Sequence, residues 1–277
     1  MKMTPMRYML AALLIVCLCT AGVSGAPTTE VLIAKIDGDT GAILDETTVD
    51  YHWMEENLPV HGDGVTRYYH QGPVFEGDKW DPGETTNFKD RGAVKGTNIR
   101  DLCDLVGGAS PGDEIMVRAA DGYHVEFPYE NVYHPAPRQG PIVLCWYNGA
   151  DPDVGERQGI GYPPDFYAGM RIVFFADTST NAEGLHVYGN QDMYETMPST
   201  VHHFYDLFPS TNGFTVKWVD EIRIYAGGYH GETGALAKSL TDDGSQESTT
   251  PEAGPPPIAA LLAVLGCLFI TASRGRQ

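Results

Sequence analysis

Positive charge and cysteine are both scarce in the middle of this 277-residue chain. Lys2, Arg7, Arg274 and Arg276 lie in the two ends, which leaves 14 of the 18 basic residues and all 37 acidic ones between them, a formal charge of −23. A nucleic-acid surface needs lysine and arginine against phosphate, so DNA and RNA are excluded as partners. Only Cys103 and Cys145 stand in that middle part, too few and too far apart for the disulfide framework of a small secreted domain. Cys103 falls on the apolar face of an expected helix and Cys145 in an apolar strand, which predicts two buried thiols. No Asn-x-Ser/Thr sequence occurs, so N-linked glycan is not expected. A Gly-x-Ser-x-Gly elbow and a glycine-rich phosphate loop are missing too, which removes the signatures of a serine hydrolase and a P-loop enzyme.

Long apolar runs are absent from the middle and present at both ends. Residues 8–23 follow Lys2 and Arg7 and lead to Ser24-Gly25-Ala26, the three parts of a secretory signal with a mature start near Pro27. Residues 258–272 form a second run closed by Arg274-Gly275-Arg276, short of the ~20 residues that normally cross a bilayer. Ahead of it stands Thr249-Thr250-Pro251-Glu252-Ala253-Gly254-Pro255-Pro256-Pro257. A Pro/Gly motif, a short apolar segment and a basic tail resemble the tripartite sorting signals read by exosortase-type transpeptidases; a plain C-terminal membrane helix is the other reading. Both hold the bulk of the chain outside the cell, attached to the membrane by its C-terminal segment, with surface-layer or envelope proteins as neighbours.

The expected organisation is a signal peptide (1–26), one domain (27–226), an acidic Ser/Thr/Pro spacer (227–257) and a transmembrane or sorting segment (258–277). Within the domain, Val31–Ile36 reads as a strand stopped by the turn residues Asp37-Gly38-Asp39-Thr40-Gly41. Asp50 is placed to cap a short helix through Leu58 with Trp53, Met54 and Leu58 on one face. Thr97 or Asn98 caps the clearest helix, where Ile99, Leu102, Cys103 and Val106 recur at helical spacing before Gly107-Gly108. Ile115, Val117 and Ala119, then Asp121-Gly122, then Tyr123, Val125 and Phe127 spell a hairpin. Residues 141–147 and 171–175 read as buried strands, and Glu221–Tyr225 as a last strand with one wet face. Strands outnumber helices, so the expected class is α+β, β-rich, with mixed sheets and few short helices.

The order of these pieces resembles the sulfite-oxidase-type molybdopterin-binding domain, as found in surface proteins of methanogenic archaea. The resemblance runs through Thr48–Pro59, Gly96–Gly108, Pro111–Val117 with Asp121-Gly122-Tyr123, Gly140–Leu144, Gly161-Tyr162-Pro163 with Met170–Val173, and Lys217–Ile224. It implies a sulfite-oxidase-like molybdopterin-binding fold. It also implies a molybdopterin cofactor whose metal is held by a cysteine thiolate between the first helix and the Gly96–Gly108 helix. Residues 60–96 contain no cysteine, so molybdopterin is not favoured here. The residues assigned to a cofactor or ligand are His70, Arg91, Tyr123 and Arg157, with His70 nearest to the missing thiolate and no catalytic residue named.

His124 is expected to face solvent. His202-His203, as neighbours, do not suit one metal, and Asp37–Gly41 lacks the spacing of a calcium loop. Two functions follow. One is a non-catalytic binding or structural module of an archaeal envelope; the other is an exported molybdopterin-dependent oxidoreductase with a non-cysteine metal site.

Overall fold

A computed structural model describes residues 27–153 and 155–231. The signal peptide expected at 1–26, the spacer beyond residue 231 and the segment at 258–277 lie outside the described residues. Among the described residues no helix is long and apolar enough to cross a membrane.

The chain opens with β1 (Glu30–Asp37), β2 (Ile43–Asp50), α1 (Tyr51–Asn57), β3 (Val60–His61), β4 (Tyr68–Gln71), β5 (Phe88–Asp90) and β6 (Val94–Asn98). There follow α2 (Ile99–Cys103), β7 (Glu114–Ala119), β8 (His124–Pro128), α3 (Tyr129–Tyr133) and β9 (Ile142–Asn148). The last part holds β10 (Arg171–Phe174), β11 (His186–Tyr188), α4 (Asn190–Thr196), β12 (Phe204–Tyr205), β13 (Phe208–Pro209) and β14 (Val219–Ala226). The class is β-rich α+β with mixed sheets and few short helices.

Two sheets enclose the main core. The larger has the order β2-β1-β14-β7-β8, with β1 and β14 parallel and the other pairs antiparallel. The second, β10-β9-β6-β3, is antiparallel throughout. Ile33, Ile115, Val117, Ile222 and Ile224 from the first meet Ile142, Leu144, Trp146, Ile172 and Phe174 from the second, with Ile99, Leu102 and Cys103 of α2 completing the layer. Successive strand side chains point to opposite faces, so β9 also buries Val143 and Cys145 on its far side, against Phe166, Val173 and Phe175. That is why its sequence is an unbroken apolar run. A smaller sheet, β11-β4-β5, carries His70 and borders the cavity described below.

Local chemistry sets the joints. Asp37 accepts from the Thr40 backbone and hydroxyl and from the Asp39 amide, a side-chain-closed turn between β1 and β2. Asp50 caps α1 by accepting the Trp53 amide, and Asn98 caps α2 by accepting the Arg100 amide. Gly107 then ends that helical segment in the left-handed region, at φ 83°.

Three expectations are corrected. Trp53 is exposed and Tyr51 takes its place beside Met54 on the buried face of α1. Tyr123 sits just ahead of β8 and is 44% exposed, while Val125 and Phe127 turn inward. β14 has no wet face: it lies in the centre of the large sheet, with Ile222 and Ile224 in the core and Arg223 and Tyr225 buried on the other side. Glu221 there pairs with both Arg118 and Arg223.

One buried polar pair makes a testable contribution to stability. Asp192 of α4 and Glu84 are neighbouring carboxyls, both fully buried, with Arg138 beside Asp192. Burial first, and then the neighbouring Glu84 carboxyl, push the Asp192 carboxyl well above its ordinary value. The folded chain therefore keeps a proton that the unfolded chain has released. The resulting stability is complete below the ordinary carboxylate range and is lost as pH rises through the raised Asp192 value. Asp192→Asn should flatten this decline: between pH 6 and 9 the wild-type melting temperature should fall and that of the variant stay level, as read by circular dichroism.

Candidate functional site

A cavity of about 730 Å3 opens beside β5, at the start of β10 and along the segment that leads into β14. Its walls gather Lys89, Arg91, Arg171 and Lys217, four cations from a chain poor in them. Arg91 is 3% exposed and Arg171 is 2% exposed. β10 places Arg171 opposite Cys145 of β9. Ile172 and Phe174 turn to the core, leaving Arg171 on the face shared with Cys145 and Val143.

The two guanidiniums are only partly satisfied. Arg171 donates to Gln158 Oε1 at 3.0 Å and to Thr215 Oγ1 at 2.9 Å. Arg91 donates to Asn212 Oδ1, and its Nη1 lies 3.9 Å from the Glu156 carboxylate. The Nε of each is buried with no hydrogen-bond partner among the described residues. Burial pulls Arg171 down to about 10, and burial followed by the charge of Arg171 pulls Arg91 well below its ordinary value. A guanidinium does not give up its proton in a protein, so both groups stay charged where they are buried.

The carboxylates nearby do not supply enough. Asp90 is held by Arg67 at 2.7 Å and accepts the Gly92 amide. Asp121 closes the hairpin turn by accepting the Tyr123 amide. Glu156 alone reaches in, touching Lys217 and approaching Arg91. On the rim, Lys89 has no carboxylate within ion-pair distance among the described residues. The rest of the wall is aromatic and polar. Trp218 holds a left-handed backbone at φ 54° and donates its indole N–H to the Tyr167 carbonyl at 2.8 Å. A bulky residue in that region is strained, which surrounding structure must enforce. Tyr123 donates its hydroxyl to the Gly213 carbonyl at 2.8 Å and so forms the opposite wall.

Of the four residues assigned from sequence, Arg91 and Tyr123 meet at this cavity and His70 and Arg157 do not. His70 is fully buried in the sheet behind it. The Thr211 carbonyl can only accept and the Phe174 amide can only donate, so Nδ1 carries the proton toward Thr211 and Nε2 accepts from Phe174. Burial first, then Arg91, hold this ring neutral, well below the ordinary histidine value. Arg157 points outward with 77% of its side chain exposed, 3.8 Å from Asp151. Arg171, Lys217 and Lys89 were not among the assigned residues. The signal for Arg171 was a lone cation opening the apolar run Ile172–Phe175.

The donor set does not fit a thiolate-held metal. Cys103 and Cys145 are free and fully buried, neither lines the cavity, and burial raises both thiols. Among the described residues no group of three or more His, Cys, Asp or Glu side chains is placed to hold a metal ion. His202 turns to the Met197 carbonyl and His203 toward the Tyr123 hydroxyl, on separate partners. No family model matches the chain, and no curated protein matches it.

Proposed function

We propose that this chain is an exported, envelope-held binding module that takes a small anionic ligand in the Arg91–Arg171 cavity and carries out no redox chemistry. The observation that carries the reading is the pair of buried guanidiniums at one cavity wall, each with an unmatched Nε. Isolated buried charge costs several kcal/mol even after relaxation, and a chain this acidic had carboxylates to spare for neutralising it. Phosphate, sulfate or carboxylate groups match the planar donor fork of arginine. Trp218 and Tyr123 add flat apolar walls, the usual complement of a few placed polar groups in a ligand pocket.

The sulfite-oxidase-like molybdopterin-binding fold belongs to the same proposal. It is supported by the order of the sequence motifs and by the β-rich α+β class. The missing thiolate speaks for binding over molybdenum chemistry. Native full-length protein, purified from its source and denatured, should release a near-stoichiometric anionic compound on mass spectrometry. Elemental analysis of the same sample should find no molybdenum or tungsten, and a stoichiometric amount of either would overturn the non-catalytic reading.

A further inference from the structure

We infer that Glu156 is a built-in counter-ion of the cavity, a carboxylate that any ligand must displace, so that the site admits anions of two or more charges and turns away those with one. The inference rests on the reading of the cavity as an anion site and names what regulates entry to it.

Three features of the loop between β9 and β10 lead to this. First, its base is cinched. Asp151 accepts the amides of Gln158 and Gly159 at 2.7 and 3.0 Å, Asn148 donates to the Gly159 carbonyl, and Arg67 donates to the Asp151 carbonyl. Second, the tip is loose. Gly155, Glu156 and Arg157 are exposed, a Cβ at Gly155 would meet nothing within 4 Å, and among the described residues no backbone hydrogen bond holds these three. Third, what brings the tip to the cavity is the Glu156 carboxylate, against Lys217 and 3.9 Å from Arg91. Burial works against its charge, yet Lys217 and then Arg171 and Arg91 hold the carboxyl below its usual range.

Displacing Glu156 therefore breaks ion pairs and no fold. Its side chain is 52% exposed and regains water on leaving. A ligand with one negative charge merely replaces one carboxylate by another and gains little. A ligand with two or more charges also satisfies the second guanidinium, where Coulomb attraction is strengthened by the low local dielectric. Charge number thus becomes the criterion for entry.

The test is calorimetric titration of the full chain and of Glu156→Gln with pyrophosphate and with acetate. The wild type should bind pyrophosphate and not acetate. E156Q should bind pyrophosphate about twofold to fivefold tighter, the scale of one partly exposed charge contact removed from competition, and should gain measurable acetate binding. Equal pyrophosphate affinities in the two proteins, or a weaker variant, would overturn the role of Glu156 while leaving the anion site standing. Binding of neither anion by either protein would overturn the site itself, and with it this inference. Half-exposed as this side chain is, E156Q should fold as the wild type does, which an unchanged melting temperature checks.

Discussion

Arg91→Met should weaken pyrophosphate binding by roughly 10- to 100-fold, the worth of one charge-assisted hydrogen bond lost from a desolvated site. The same substitution should leave the melting temperature unchanged or higher. Arg91 is buried beside a second cation, and removing a buried charge with poor compensation is often neutral or stabilising. Methionine fills a similar volume and asks for no partner. Asn212, which loses a donor, is half-buried and within reach of water. Binding and stability moving in opposite directions is the signature of a group kept for its ligand. A variant that binds normally but melts well below the wild type would show that Arg91 serves the fold instead. Calorimetry and thermal unfolding on the same preparation separate the two.

Trp146→Ala should cost about 3–5 kcal/mol of folding stability, a fall of roughly 10 °C in melting temperature for a domain of this size. Trp146 is fully buried on β9 and donates its indole N–H to Thr97 Oγ1 of β6 at 3.0 Å. Tyr162 stacks on it with ring centroids 6.0 Å apart, and Lys95 lies 5.6 Å from its centroid. Alanine leaves a cavity that the two sheets cannot close, because each is held by its own ladder. Trp146→Phe should cost less than half as much, since the apolar volume is mostly kept and Thr97 can turn its hydroxyl elsewhere. Chemical denaturation of the three proteins gives the order directly. A loss for alanine no larger than that for phenylalanine would mean that the site collapses and that the ring is not a keystone of the core.

Much of the local structure was legible because its causes are local. The Asp50 and Asn98 caps, the Asp37 turn and the Asp121-Gly122 hairpin are each written in a few adjacent residues. Strand periodicity located β1, β7, β9 and β10. What periodicity reports is the burial of one stretch, not its place in a sheet, and β14 shows the difference. Glu221 and Arg223 looked solvated because they are charged; they are covered because β1 and β7 flank them and the charges answer one another. The cavity was harder still. Arg91, Arg171 and Lys217 come from distant stretches and meet only through the sheet order. His70 was singled out because of where the resembled family keeps its thiolate, and its polar contacts turn out to be spent inside the sheet. Tyr123 does reach the cavity wall, yet it is exposed and does not share the inward face of Val125 and Phe127.

The parallel pairing of β1 with β14 has a mechanical meaning. The register runs from Leu32 beside Glu221 to Asp37 beside Ala226, so the domain begins and closes on neighbouring strands that point the same way. Tension applied between the start of β1 and the end of β14 pulls these two past each other. Their hydrogen bonds, and those from β14 to β7 on its other flank, then bear the load together instead of opening one after another. A pull taken up between those two ends is shared by the whole length of the β1–β14 ladder.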